Sequence, residues 1–172
     1  MTTTRVTYLE MSDPAELRPR PAPAGDVELR RMHRPAPAFL RWLYAEIGRA
    51  HRWVDRLGWD DARIERHAGA AGVEEHLLLV DGSPAGWFEL ARDDGGDVEV
   101  AYFGLLAHYH GRGLGGYLLS EAVWAAWAAG ARRVWVHTCD LDAPGALPNY
   151  RARGFRVYRE ADEPVPAAPS IG

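Results

Sequence analysis

The run Glu99-Val-Ala-Tyr-Phe-Gly-Leu-Leu-Ala-His-Tyr-His-Gly-Arg-Gly-Leu-Gly-Gly-Tyr-Leu-Leu119 decides how the rest of the chain is read. It begins within a strand. Val98 to Leu105 alternates, which places Val98, Val100 and Tyr102 on one face and Glu99, Ala101 and Phe103 on the other. It ends as a helix, with Leu118, Leu119, Ala122, Val123 and Ala126 as the buried stripe and Gly130 as a C-cap. Between the two stand glycines 111, 113, 115 and 116. A turn of this kind at a helix start leaves the first N–H groups unpaired, and the helix dipole favours negative charge there. Without Cβ atoms the backbone approaches a phosphate closely, and Arg112 adds charge.

Working outward, Glu75–Val80, Ala85–Arg92 and Val98–Leu105 read as an antiparallel meander. They are joined by turns at Asp81-Gly82-Ser83-Pro84 and Asp93-Asp94-Gly95-Gly96-Asp97. Upstream, Arg5–Met11 and Val27–Met32 read as strands, separated by a Pro-rich loop over about residues 13–25. From Ala36, the residues Phe39, Trp42, Leu43, Ile47 and Ala50 recur at helical spacing, and Gly58 is expected to break that helix. Asp60 caps a second one. Downstream come a buried strand, Arg133–Thr138, a short helix, Gly145–Ala152, and a last strand, Phe155–Tyr158. Residues 1–160 are expected to form a single domain and 161–172 a flexible tail.

The 172 residues carry a net charge of -4, the wrong sign for bulk attraction to nucleic acid or an anionic membrane. No apolar run is long enough to span a bilayer, and the first residues are no secretory signal. The one cysteine, Cys139, excludes an internal disulfide framework and suits the cytoplasm. All 20 basic residues are Arg, so a lysine nucleophile is excluded.

Two ligands compete for the glycine loop. Gly111, Gly113 and Gly116 satisfy G-x-G-x-x-G, the fingerprint of an NAD(P)-binding oxidoreductase. The context opposes it: Leu105 to His110 intervene after the strand, and the motif follows a meander rather than opening a parallel array. The other ligand is the diphosphate of coenzyme A. The quoted run resembles the acyl-CoA-binding motif of the GNAT superfamily of N-acetyltransferases, Q/R-x-x-G-x-G/A at a helix start. Here it falls on His110, Gly113 and Gly115, with His110 standing in place of Gln or Arg. Further on, Ala146-Leu-Pro-Asn-Tyr150-Arg-Ala-Arg-Gly154-Phe155 is similar to the superfamily's A-x-x-x-Y-x-x-x-G-F. The Asn usual before that helix is absent; Asp142 and Ala143 lie there.

The resemblance implies an α/β (α+β) fold: a mixed, mostly antiparallel sheet flanked by helices, with a splayed parallel strand pair, Val98–Leu105 and Arg133–Thr138, holding acetyl-CoA. It implies that main-chain groups of Phe103, Leu105 and Leu106 pair with the pantetheine arm. His110, Gly111, Arg112, Gly113, Leu114, Gly115 and Gly116 would surround the diphosphate. An acceptor amine would attack the thioester directly in a ternary complex. An ammonium has no lone pair, so a base must take its proton, and Glu99 on the cofactor strand is the candidate. Tyr150 matches the general acid that protonates the departing thiolate. A phenol of pKa about 10 can share a proton with a thiol of about 8.5.

The acceptor end is read more coarsely. Trp42, Tyr44, Trp53, Trp59 and Trp87 would form an aromatic wall there, with Glu46, Asp55, Asp60 and Asp61 attracting a cationic amine. A small-molecule amine is the first choice and a peptide or protein amine the second. A GNAT-like sensor that binds acyl-CoA without catalysis is a rival class. His108, His110, His137 and Cys139 lack metal-ligand spacing, so no metal is expected. Monomer and homodimer both stay open.

Overall fold

The computed structural model describes residues 2–166, and none of its helices is long and apolar enough to cross a membrane. In chain order the elements are β1 (Thr3–Met11), β2 (Val27–Met32), α1 (Pro37–His51), α2 (Asp61–Ala68), β3 (Val73–Val80), β4 (Ser83–Arg92) and β5 (Asp97–Leu105). Then follow α3 (Leu114–Ala128), β6 (Arg133–Cys139), α4 (Ala146–Ala152) and β7 (Arg156–Pro164). The seven strands make one sheet in the order β2-β3-β4-β5-β6-β1-β7. Every neighbouring pair is antiparallel except β5 and β6. The mixed sheet expected from the resemblance is therefore present.

The sheet has a core on each face. On one, the α3 stripe (Leu118, Leu119, Ala122, Val123 and Ala126, each 0% exposed) packs with Leu9, Phe88, Val98, Val100 and Val134. On the other, Leu40, Leu43, Tyr44 and Ile47 of α1 close over Trp87 with Ile64 of α2. Leu43 and Ile47 are buried as expected, but Leu40 and Tyr44 complete the stripe, while Ala50 is exposed and Trp42 is exposed and stacks on Phe39. The helix also ends at His51, seven residues before Gly58, and its C-cap residue Arg52 adopts a left-handed conformation at φ 55°. Gly48 supplies the room for this early stop. A Cβ there would lie 3.0 Å from Cβ of Trp53, which folds back under the helix.

The β3–β4 hairpin turns on Asp81 and Gly82, both at positive φ, as a two-residue turn requires. The tail expectation needs correcting. Residues 161–164 continue β7, pairing Ala161 with Val6, Asp162 with Arg5, Glu163 with Thr4 and Pro164 with Thr3. The free edge of β1 supplies the hydrogen bonds, and an Arg5–Asp162 ion pair of 2.8 Å sits beside it. Residues 167–172 of the expected tail lie outside the described residues.

A candidate active site at the splayed strand pair

Two irregularities in β5 make the site. The first is a bulge. Glu89 faces Tyr102 and Leu90 faces Val100, so Ala101 has no partner on β4. One extra residue flips the alternation. Val98 and Val100 join the α3 core, whereas Tyr102 turns to the α1 side among Tyr44, Trp53 and Trp87. The face assignment read from simple alternation is thereby corrected: Tyr102 parts from Val98 and Val100, and Phe103 packs against their core.

The second irregularity is divergence. β5 and β6 pair only at Asp97–Arg133, Val98–Val134 and Glu99–Trp135. Beyond Glu99 the β5 edge is free toward β6, and a cleft of about 730 Å³ opens between them. Glu99, Tyr102 and Phe103 line it from β5, His137 and Thr138 from β6, and Tyr150 from α4.

Both residues assigned to proton transfer therefore reach one cavity. Glu99 Oε1 lies 3.1 Å from Nδ1 of His137, a carboxylate–imidazole pair across the diverging strands. The hydrogen bond to Glu99 raises the His137 pKa, outweighing the burial that opposes it. Tyr150 is buried, and burial, followed by the negative charge of Asp142, raises its phenol pKa. Asp142 accepts from Thr138 Oγ1 at 2.6 Å and from the Ala143 N–H at 2.8 Å, and it is hydrogen-bonded to Nδ1 of His51. Those bonds outweigh burial and hold its carboxyl below the usual range. His51 stacks on Trp53 and lies against Gly104, where a Cβ would come within 2.9 Å of His51 Nε2. Sequence spacing does not reveal the His51–Asp142 pair, because 91 residues separate its members.

The remaining predicted residues cluster at the head of α3. Gly113, at φ 78°, is the N-cap residue, and no side chain caps the first turn. Gly111, at φ 75°, faces open space. The Leu114 side chain is in the core, so only its backbone is available. Arg112 is held sideways, 3.2 Å from His108 Nε2 and over the Tyr109 ring. His110 acts within its own loop, where its Nε2 lies 3.0 Å from the Leu105 carbonyl and ties the loop shut. The Leu106 N–H donates to the Ala85 carbonyl at 2.9 Å. What Leu105 and Leu106 can offer a pantetheine chain is correspondingly smaller than the resemblance implies. Two residues not singled out in the sequence also reach this head. Arg20 Nη2 and Arg153 Nη1 stand 3.2 Å and 2.6 Å from where Cβ atoms of Gly113 and Gly116 would be.

At the expected acceptor end the acids are arranged differently from the sequence reading. Of the four expected, Asp55 lines the cleft and accepts from the Tyr44 hydroxyl at 2.8 Å and from Tyr102. Asp60 caps α2, while Asp61 and Glu46 pair with Arg41 and Arg49. The buried acids nearby are Glu75 and Glu89, 1% and 0% exposed. Arg56 grips both oxygens of Glu89, at 2.5 and 2.8 Å, and His67 Nε2 adds a third bond at 3.0 Å. Trp87 Nε1 donates to Glu75 Oε2 at 2.7 Å, and Glu75 Oε1 has no partner. Burial and the neighbouring Glu89 charge hold Glu75 well above the usual carboxylate range. Burial also opposes ionisation of Glu89, yet the Arg56 and His67 bonds prevail and hold it below. Among the described residues, the metal-type group whose ligand atoms converge, within 4.8 Å, is His67, Glu75 and Glu89. His108, His110, His137 and Cys139 do not converge. Arg56 occupies Glu89 in the present arrangement.

Comparison with known proteins agrees with this geometry. The sequence model of the acetyltransferase (GNAT) family matches residues 32–155. A mycothiol acetyltransferase of Corynebacterium efficiens is 30% identical over 120 residues, 68% of this chain and 40% of that protein. The chain thus spans well under two thirds of the length of that curated relative. Among solved structures, a GCN5-related N-acetyltransferase from Kribbella flavida superposes with a TM-score of 0.66 at 23% identity, covering 96% of this chain and 60% of that one. An aminoglycoside acetyltransferase from an uncultured soil metagenomic sample gives 0.61 at 14% identity, over 74% and 86%. The splayed parallel pair and the glycine-headed helix beside it are the arrangement the sequence resemblance implied. The chain belongs to the acetyltransferase (GNAT) family.

Proposed function

We propose that the chain is an N-acetyltransferase that moves an acetyl group from acetyl-CoA to a primary amine of a small molecule in the cytoplasm. The observation that carries this reading is the convergence of Glu99–His137 and Tyr150 on the cleft opened by β5 and β6. The free edge of β5 suits an extended pantetheine arm, and the amide groups of the α3 head suit its diphosphate. The amine nitrogen bonds to the thioester carbonyl carbon and the carbon–sulfur bond breaks. The amine proton passes to the Glu99–His137 pair, and the thiolate takes a proton from Tyr150. Acidic groups rim the acceptor side, and a net charge of -4 favours a cationic acceptor over an acidic polymer. The similarity to proteins named for mycothiol and for aminoglycosides supports a small-molecule acceptor.

The test is thiol release from acetyl-CoA in the presence of a panel of amines. Tyr150→Phe is expected to lower turnover by about 100-fold while leaving CoA affinity within about threefold. Full activity would remove Tyr150 from the reaction. Glu99→Gln deprives His137 of the bond that raises its pKa. The acid limb of the pH–rate profile should then move to lower pH, and the plateau should fall. CoA binding without thiol release from any amine would instead identify a sensor.

A further inference from the structure

The cleft forms where the sheet gives up its own hydrogen bonds. Beyond Glu99 no ladder holds β5 and β6 at a fixed separation. A side-chain pair spans the gap instead. His51 closes α1, which packs on the β5 wall. Asp142 lies just past the end of β6, on the opposite wall. Nδ1 of His51 bonds to Oδ1 of Asp142, and both residues line the cleft. The two side chains are 11% and 13% exposed, so little water competes for the bond.

Each end holds its partner still. Trp53 stacks on the His51 ring at 4.9 Å between centroids. Gly104 of β5 leaves room for the Nε2 edge, which any Cβ there would meet at 2.9 Å. At the other end both carboxylate oxygens of Asp142 are engaged. Thr138 Oγ1, near the end of β6, donates to Oδ2 at 2.6 Å, and the Ala143 N–H donates to Oδ1 at 2.8 Å. The Asp142 N–H donates to the Cys139 carbonyl at 2.9 Å, which turns the chain toward α4. Charge-assisted bonds away from water make this carboxylate a fixed point of the β6 wall.

The short helix α4 depends on that point. It has seven residues, and no side chain caps its start at Gly145. A helix this short takes its orientation from tertiary contacts. On the α3 side, Asn149 Nδ2 donates to the Gly115 carbonyl at 3.2 Å. On the cleft side, the turn anchored by Asp142 runs directly into the helix, with the Ala146 N–H on the Ala143 carbonyl at 3.0 Å. The buried residue of α4 is Tyr150, which lines the same cleft. Burial, and after it the Asp142 charge, raises the pKa of this phenol and keeps its proton in place.

We propose that His51 and Asp142 are positioning residues: their bond ties the two walls of the cleft and sets where α4 presents the Tyr150 hydroxyl. The tie rests on the acetyl-transfer reading, in which Tyr150 protonates the departing thiolate.

Steady-state thiol release with acetyl-CoA and the best amine of the panel tests it. His51→Ala and Asp142→Ala should each lower kcat about 10- to 100-fold, because a proton donor moved by about 1 Å loses its alignment. The KM for acetyl-CoA should stay within about twofold, since the loss falls on the transition state. The double variant should lose no more than the worse single one, as both changes cut one tie. His51→Asn sets an amide N–H near the place of Nδ1 and should recover most of the loss. Asp142→Asn keeps the side-chain volume and serves where the alanine variant melts early. In a Tyr150→Phe background neither change should alter the residual rate by more than about twofold, for no phenol is left to aim. An equal loss in both backgrounds, or folded variants as fast as wild type, overturns the tie and leaves the acetyl-transfer reading standing. A wild-type protein that releases no thiol with any amine overturns both.

Discussion

The two regions proposed to meet the two substrates are built in opposite ways. The region proposed for the cofactor is made of backbone: glycines within a few residues of one another, an uncapped helix start and a strand edge freed by divergence. The acceptor end is made of side chains from separated elements, Glu75 on β3, Glu89 on β4, His67 on α2 and Arg56 between the first two helices. The first is positive at its helix start; the second holds its charges internally, with Arg56 already closed on Glu89. A backbone site fails when atoms are added, and a side-chain cluster fails when they are taken away. The bulge at Ala101 joins the ends, because it turns Tyr102 toward the acids while Val98 and Val100 stay with α3.

That contrast is broken most severely at Glu89. Glu89→Ala strands the Arg56 guanidinium in the interior, and losing one partner of a buried ion pair costs about 3–5 kcal/mol. Urea unfolding should report a loss of that size, with CoA affinity of the remaining folded protein unchanged. A loss below about 1 kcal/mol would show that water reaches Arg56 freely. At the other end the effect should appear in binding. Gly113→Glu puts a side chain at φ 78° and a carboxylate at the helix start proposed to meet the cofactor's phosphates. CoA affinity is expected to fall by about 100-fold or more, with a stability cost of only about 1–2 kcal/mol from the left-handed conformation. Calorimetry that finds the affinity intact would remove the glycine loop from the cofactor site.

The same contrast explains what could be read in advance. The α3 stripe, the glycine loop, the order of the strands and the Glu99 and Tyr150 positions are local in sequence, and periodicity or motif spacing reports them. The bulge is not, since a single unpaired residue leaves no mark in an alternating run. Nor is the continuation of β7 through Pro164, which needs the edge of β1 to pair with. Arg20 and Arg153 lie 133 positions apart and meet only because α4 and the Pro-rich strap converge on α3. Glu75 and Glu89 offered one faint signal, acids placed among apolar strand neighbours. Asp60, Asp61 and Glu46 drew attention by exposure and local density, and each is occupied by a cap or a surface pair.

The smallest effect tests the acceptor cluster without dismantling it. Glu75 faces Glu89 from β4, Arg56 from the loop after α1 and Trp87 beside it, with His67 of α2 completing the cluster. Burial and the Glu89 charge keep its proton on in the folded protein, while in the unfolded chain it leaves at the ordinary value of about 4.3. From that point upward the unfolded state binds fewer protons, so this group makes stability fall as pH rises. Glu89 works in the other direction: its lowered pKa contributes stability that is lost as the pH falls below the ordinary carboxylate value. Glu75→Gln keeps an oxygen for the Trp87 N–H and an N–H donor toward Glu89, and it removes only the titration. Variant and wild type should melt alike near pH 4. The variant should then gain about 1 kcal/mol for each pH unit above that value while the proton is retained, with no change in CoA affinity at pH 4 or pH 8. Melting curves that stay parallel from pH 4 to 8 would show that Glu75 ionises as an ordinary carboxylate, and the acceptor end would then carry an unbalanced charge of its own, as the cofactor end does.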